Sequence, residues 1–189
     1  SKLLNVSSSP HVRCGVSTKN LMYDVAIAML PATIWGVMQF GIYSLIVVVA
    51  TVLSCVLSEY LFETLMHKPV TISDGSALVT GMILGLNMPP AIPLWMPILG
   101  GVFAIIVVKQ LYGGLGQNWM NPALAARCFM LISFAQAMTK FTDPVTDAVA
   151  SATPLAAIKA GDTYDLAAMF IGKIPGTIGE VSVIALLIG

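Results

Sequence analysis

Charge is what this 189-residue sequence has least of. Nine Lys and Arg with nine Asp and Glu make up 10% of the chain, where an ordinary soluble domain carries about a quarter. The two signs cancel, which leaves no long-range field for a polyanion and excludes a basic nucleic-acid binder. Cysteine is equally sparse. Cys14, Cys55 and Cys128 stand apart without paired spacing, which argues against a disulfide scaffold or an iron–sulfur cluster held by this chain alone. His11 and His67 lie in flanking or loop positions, where surface residues are expected rather than axial ligands of a membrane haem. Apolar residues fill the space: 57% of the chain, with a mean hydropathy of +0.89. Disorder is thereby excluded, and an all-α integral membrane protein is expected.

The gaps between charges predict the crossings. Residues 25 to 58 carry no charged side chain, and neither do residues 75 to 108. Each gap is 34 residues long, roughly 51 Å as a straight helix, while the hydrocarbon core is only about 30 Å thick. Each must fold back on itself. In the first gap the turn falls at Gln39-Phe40-Gly41, between spans over 21–40 and 42–66. In the second, Met88-Pro89-Pro90-Ala91-Ile92-Pro93 removes backbone donors and ends a short helical piece over 75–88. Broken backbone survives in a membrane where it is buried or lines a cavity; a helix simply ending at the interface is the alternative. Further segments are read over 94–112 and 121–138, and a sixth begins near 175 and is still apolar at Gly189, so the chain is expected to continue. The reading is a multi-span helical bundle with broken helices.

Basic residues orient it. Residues 1–20 form an N-terminal arm without an apolar leader run. Lys2, Arg13 and Lys19 precede the first span, Lys68 follows the second, and Lys109 and Arg127 bracket the fourth-to-fifth connection. Alternating crossings put all six on one face, the cytoplasmic one. Lys140, Lys159 and Lys173 share the loop 139–174 with Asp143, Asp147, Asp162 and Asp165; that loop is net negative and falls outside.

Few residues can carry chemistry. Glu59 and Glu63 lie four apart at the end of the second span, fit for ion traffic or simply solvated. Glu180 is embedded in the sixth apolar run, where an ionisable group marks function by default. In Gly113-Gly114-Leu115-Gly116-Gln117-Asn118-Trp119-Met120-Asn121-Pro122-Ala123 the glycines permit close backbone approach, and Asn121-Pro122 reads as an N-cap followed by proline at the first helical position. Asn-Pro-Ala also opens the pore half-helices of aquaporins, but that reading needs a second copy and the sequence holds one. In Asp147-Ala148-Val149-Ala150-Ser151-Ala152-Thr153-Pro154-Leu155, Thr153-Pro154 is a second such pair. It is either an ordinary cap or a hydroxyl where backbone N–H groups and the helix dipole favour a phosphate.

Taken together, these stretches, with Ser8-Ser9-Pro10-His11, the first span and Gly81-Met82-Ile83-Leu84-Gly85-Leu86-Asn87-Met88-Pro89-Pro90, resemble the RnfD/NqrB family across the whole chain. The short N-terminal arm favours the RnfD branch, which serves the Rnf electron-transport complex. The resemblance implies FMN attached covalently through a phosphoester to Thr153, within a pattern in which Asp147, Ala152 and Thr153 match. Ala150 and Ser151 depart from the usual Ser/Thr and Gly, which weakens recognition by the attaching transferase. Ser151, Pro154, Asn118, Asn121 and Arg127 are candidate flavin neighbours, with Lys140 and Lys159 as further candidates for nearby charge. A riboflavin between helices is implied as well. So is half or more of an inverted-repeat fold resembling urea and ammonium transporters. The implied function is electron relay across the cytoplasmic membrane coupled to Na⁺ or H⁺ movement, ferredoxin to NAD, with other Rnf subunits as partners. An ion path past Gly81, Gly85 and Asn87 is expected. A channel without covalent flavin, and a scaffold whose flavin site has decayed, are the rival readings.

Overall fold

The computed structural model describes residues 15, 17–142, 149–150, 158–159 and 166–189. Its elements are helical, apart from one antiparallel pairing of Phe141–Thr142 (β1) with Val149–Ala150 (β2). The first span is two helices, α1 (Thr18–Ala28) and α2 (Leu30–Phe40), joined at Met29 ahead of Pro31. The Ser17 hydroxyl caps the start by accepting from Asn20 N. Gly41, at φ 81°, makes the tight turn into α3 (Ile42–Leu65). A left-handed residue there favours glycine.

At 24 residues, α3 is about 36 Å long and is, among the described residues, one of two stretches long and apolar enough to cross a bilayer, with 18–40 the other. Its two faces are inverted relative to a soluble helix. Ile42, Ile46, Val49, Leu53, Leu57 and Leu61 are exposed, whereas Ser44, Thr51, Ser54, Ser58, Glu59 and Glu63 are buried. Apolar side chains outside and polar ones inside are stable only in an apolar solvent. Thr51 and Ser54 settle their hydroxyls on the carbonyls of Val47 and Ile98, each at 2.7 Å.

Against this face packs α4 (Ser76–Leu86). The fit rests on two glycines. A Cβ on Gly81 would lie 2.6 Å from Val52 Cα, and one on Gly85 would lie 3.0 Å from Val48 Cα. Elsewhere on α3, Ser54 receives Gly101, and its Oγ is 2.8 Å from where a Cβ of that glycine would stand. Small residues at membrane helix contacts serve this close approach. Gly101 belongs to α5 (Trp95–Val102), which continues into a π-helical stretch, Phe103–Gln110. After the glycine loop come α6 (Pro122–Ser133) and, beyond a break at Phe134, the single turn α7 (Ala135–Met138). Later in the chain are α8 (Leu166–Ile171) and α9 (Val183–Ile188). The segment expected to begin near 175 is therefore helical only from Val183; residues before it serve another purpose.

That purpose is to finish α4. Its chain breaks at Asn87, followed by the buried Met88 and Pro89. The carbonyls freed there are met from outside the helix: Gly179 N donates to Leu86 O at 2.8 Å and Ile178 N to Met88 O at 3.1 Å. Gly36 on α2 admits the Ile178 carbonyl, which would collide with a Cβ at that position. Tyr43 OH donates to Ile92 O at 2.9 Å and ties the proline link to α3. The helix ends inside protein, with its backbone satisfied, as membrane depth requires.

Gly81→Leu forces α4 off the α3 backbone. It should lower the stability of the purified protein in detergent by about 1–3 kcal/mol, read as a fall in melting temperature. Unchanged melting would contradict the packing described.

Candidate functional site

Their spacing of four along α3 places Glu59 and Glu63 on one face, one turn apart, at the end of the bundle where α4 begins. Solvation is one sequence expectation for this pair; the two residues are instead 0% and 2% exposed. The reason is the π-helical stretch. Its wider turn, closed by Leu111 N donating to Ile106 O, presents the consecutive residues Lys109 and Gln110 inward together. π-Turns of this kind recur at functional sites.

Lys109 Nζ donates to Glu59 Oε1 at 2.5 Å and to Ser76 Oγ at 2.6 Å. Gln110 Nε2 bridges the two carboxylates, 2.9 Å from Glu59 Oε1 and 3.3 Å from Glu63 Oε1. Glu63 also accepts from Thr71 N at 3.0 Å and from the Thr71 hydroxyl. Asp74 accepts from Ser76 N and Oγ, at 2.8 and 2.6 Å, and so starts α4. Glu59 Oε2 is buried without a hydrogen-bond partner among the described residues. A buried charge is tolerated only when paired and hydrogen-bonded, and Lys109 supplies the pairing.

The sequence places Lys109 and Arg127 at the membrane face as topology markers. Both have partners within the protein. Lys109 is 2% exposed and spent on the ion pair. Arg127, in the second turn of α6, donates to Asn87 Oδ1 at 2.5 Å, and Asn87 Nδ2 donates to Ile83 O at 2.8 Å. The guanidinium thus locks α6 onto the broken end of α4.

Between the charge cluster and α6 runs the glycine loop. Gly113, Gly114 and Gly116 all have positive φ, at 117°, 97° and 84°, conformations that side chains oppose. The loop returns the chain so that Asn118 and Asn121 border the same cleft as Lys109, Ser76 and Thr80, about 140 Å³ in volume. Asn121 Oδ1 accepts from Ala123 N and Leu124 N, at 3.0 and 3.4 Å, which makes it the N-cap of α6 with Pro122 first in the helix. Asn118 Nδ2 donates to Met120 O at 2.8 Å. On the far side of Asn121 lies a wider apolar cavity of about 490 Å³, walled by Phe103, Val107, Tyr112, Trp119 and Leu124. Phe103 stacks on Phe129 with ring centroids 4.2 Å apart.

Other expected residues fall elsewhere. Gly81 and Gly85 abut the α3 backbone, so packing alone accounts for them. Asn87 borders a cavity of about 270 Å³ together with Thr177 and Glu180. Glu180 lies exposed at its rim, accepting from the Thr177 hydroxyl at 2.9 Å. Lys140 and Lys159 are exposed. Asp147, Ser151, Ala152, Thr153 and Pro154 lie outside the described residues. Sequence reasoning missed the pairing of Lys109 and Gln110 with Glu59 and Glu63. One signal for it was present: Glu59 and Lys109 are the charges at which the two apolar gaps stop.

Comparison with known proteins gives a consistent set of likenesses. Residues 5–189 match the family described as NQR2, RnfD, RnfE. In the Na⁺-translocating ferredoxin:NAD⁺ oxidoreductase complex of Acetobacterium woodii, the subunit designated D is 47% identical over 98% of this chain and 60% of that protein. Its namesake in the proton-translocating ferredoxin:NAD⁺ oxidoreductase complex of Clostridium ljungdahlii is 40% identical over 99% of this chain and 61% of that protein. The namesake in the ion-translocating oxidoreductase complex of Rhodobacter capsulatus is 31% identical over 96% of this chain and 61% of that protein. The chain therefore spans about 60% of the length of these relatives.

Lys109→Met leaves the Glu59 carboxyl without its counter-charge in a dry interior. Its cost is expected at about 3–5 kcal/mol. Replacing both, as Glu59→Leu with Lys109→Met, should recover most of that loss. A double-mutant cycle of melting temperatures in detergent checks it, and additive losses would contradict the pairing.

Proposed function

The chain belongs to the NQR2, RnfD, RnfE family and is a membrane-embedded protein, and from that premise we propose that it is an electron-carrying subunit of an Rnf-type ion-translocating ferredoxin:NAD⁺ oxidoreductase. The observation that carries the reading is identity of 47% across 98% of the chain with a relative whose name states that activity. The inverted faces of α3 support membrane placement independently. One relative's name specifies Na⁺ and another's specifies protons, so the translocated ion is either of these. The partners are the other subunits of the complex. The orientation proposed has a cytoplasmic N-terminus and the Thr153 loop on the outer face. Residues 1–189 would form half or more of an inverted-repeat fold like that of the urea and ammonium transporters.

FMN is proposed on Thr153, whose hydroxyl forms the phosphoester, with Asp147 as the acidic residue of the attachment pattern. A riboflavin is proposed where Asn118 and Asn121 meet Lys109. The donor set fits the polar edge of an isoalloxazine ring. Asn121 Nδ2 and Asn118 Oδ1 stay uncommitted while their partner atoms are spent on backbone, and the neighbouring aromatic-walled cavity of about 490 Å³ has the size of a cofactor site. The flavins supply one-electron chemistry when bound. The chain's residues bind the ring edges, keep water out and fix the local charge. An ion path, if it follows α4, lies on the face of Thr80, Ile83 and Asn87, which border the two cleft cavities, because α3 closes the face of Gly81 and Gly85.

The test is chemical. The full-length protein, made in a host with the flavin transferase, should fluoresce as a flavoprotein on a denaturing gel. Its intact mass should exceed the polypeptide by one FMN less one water. Thr153→Ala should abolish both signals. A dark band from the unaltered protein would sink the covalent-flavin proposal and favour a channel or scaffold.

A further inference from the structure

Lys109 stands in the wall between two environments, with the carboxylate cluster on one side and the Asn118–Asn121 cleft on the other. An ammonium has three N–H donors. One goes to Glu59 Oε1 and one to Ser76 Oγ. The third has no acceptor among the described residues, and the side chain is 2% exposed. A buried donor left unmade is costly, and this one belongs to the only buried cation bordering the cleft among the described residues.

We propose that Lys109 is the charge partner of the electron acceptor held in this cleft: its third N–H donates to the carbonyl and nitrogen edge of an isoalloxazine-class ring, and its positive charge favours the reduced form. The inference rests on the riboflavin placement proposed above. When the ring accepts one electron it gains one negative charge, and the donor, a one-electron flavin or iron–sulfur carrier of the complex, is oxidised by one. No bond forms or breaks. No proton moves in this step, so the charge gained by the ring is that of the electron alone. In that low-dielectric setting the attraction between ammonium and reduced ring is far stronger than it would be in water. Glu59 then has a defined second effect. As the counter-charge of Lys109 it moderates the pull on the electron, so the potential of the acceptor is set by the balance of the two side chains.

The two charges act with opposite sign, which gives the experiment its discrimination. Full-length protein is purified on a Thr153→Ala background and separated from the other flavin and iron–sulfur carriers of the complex, so that the non-covalent flavin is titrated alone by visible absorbance against potential. With Glu59→Gln/Lys109→Gln, which removes both charges and strands neither, affinity for the reduced over the oxidised ring should fall about tenfold, seen as a shift to lower potential. Glu59→Gln alone leaves the ammonium unopposed and should shift the potential upward. Lys109→Arg should stay near the unaltered protein. Should a variant lose flavin on purification, riboflavin is added back before titration. Shifts of the same sign in both variants, or none in either, would overturn the proposal for Lys109. Absence of extractable riboflavin from the unaltered complex would instead overturn the placement on which it rests.

Discussion

The Glu59–Lys109 ion pair is the interaction on which the rest of this arrangement depends. It joins residues 50 apart in sequence, and each of its hydrogen-bonded neighbours belongs to a different part of the bundle: Ser76 to the start of α4, Gln110 to the π-helical stretch, Thr71 through Glu63 to the link between α3 and α4. Neither charge is tolerable alone in an apolar interior. The pair therefore fixes three segments at once, and with them the wall of the Asn118–Asn121 cleft. The π-turn is the local cost of that geometry. An ordinary helix would not turn both Lys109 and Gln110 towards the carboxylates.

A second polar contact organises the opposite end of α4. Arg127 and Asn87 tie α6 to the broken helix, while the backbone of residues 178–179 takes up the carbonyls that the break releases. The C-terminal end of this eleven-residue helix is thus finished by groups from elsewhere in the chain, while Asp74 accepts from Ser76 N at its start. The two glycines on its face give it a seat on α3 without any side chain between. A helix too short to cross a bilayer is stable here because nothing polar at its ends is left to lipid.

Much of this is legible in the sequence where the determinants are local. Gly41 and the Pro89–Pro93 run mark turns because their backbone preferences act within a few residues, and Asn121-Pro122 announces a cap for the same reason. The extents of α3 and α4 follow from them. The π-helical stretch has no such signature, since its residues are ordinary apolar ones until Lys109. The ion pair is hidden for a different reason. Glu59, Asp74 and Lys109 stand in the sequence as the limits of two apolar gaps, and such limits ordinarily mark contact with water. A chain that returns repeatedly to the same end of a bundle brings those limits together, and there they satisfy one another. Arg127 has a partner of the same hidden kind: its charge suggests an interface, and a residue 40 positions earlier engages it. The proposed flavin-attachment residues rest on motif alone, whereas Asn118 and Asn121 are placed by the glycine loop.

The completion of α4 by residues 178 and 179 also sets an order of events. Ninety residues of chain separate Ile178 from Met88, the carbonyl it serves. A ribosome releases the chain from its N-terminus, so α4 and the proline link leave it well before their hydrogen-bond partners exist. Until then the freed carbonyls must stay near water or borrow transient partners. The C-terminal end of the broken helix is therefore completed late, although the helix is made early.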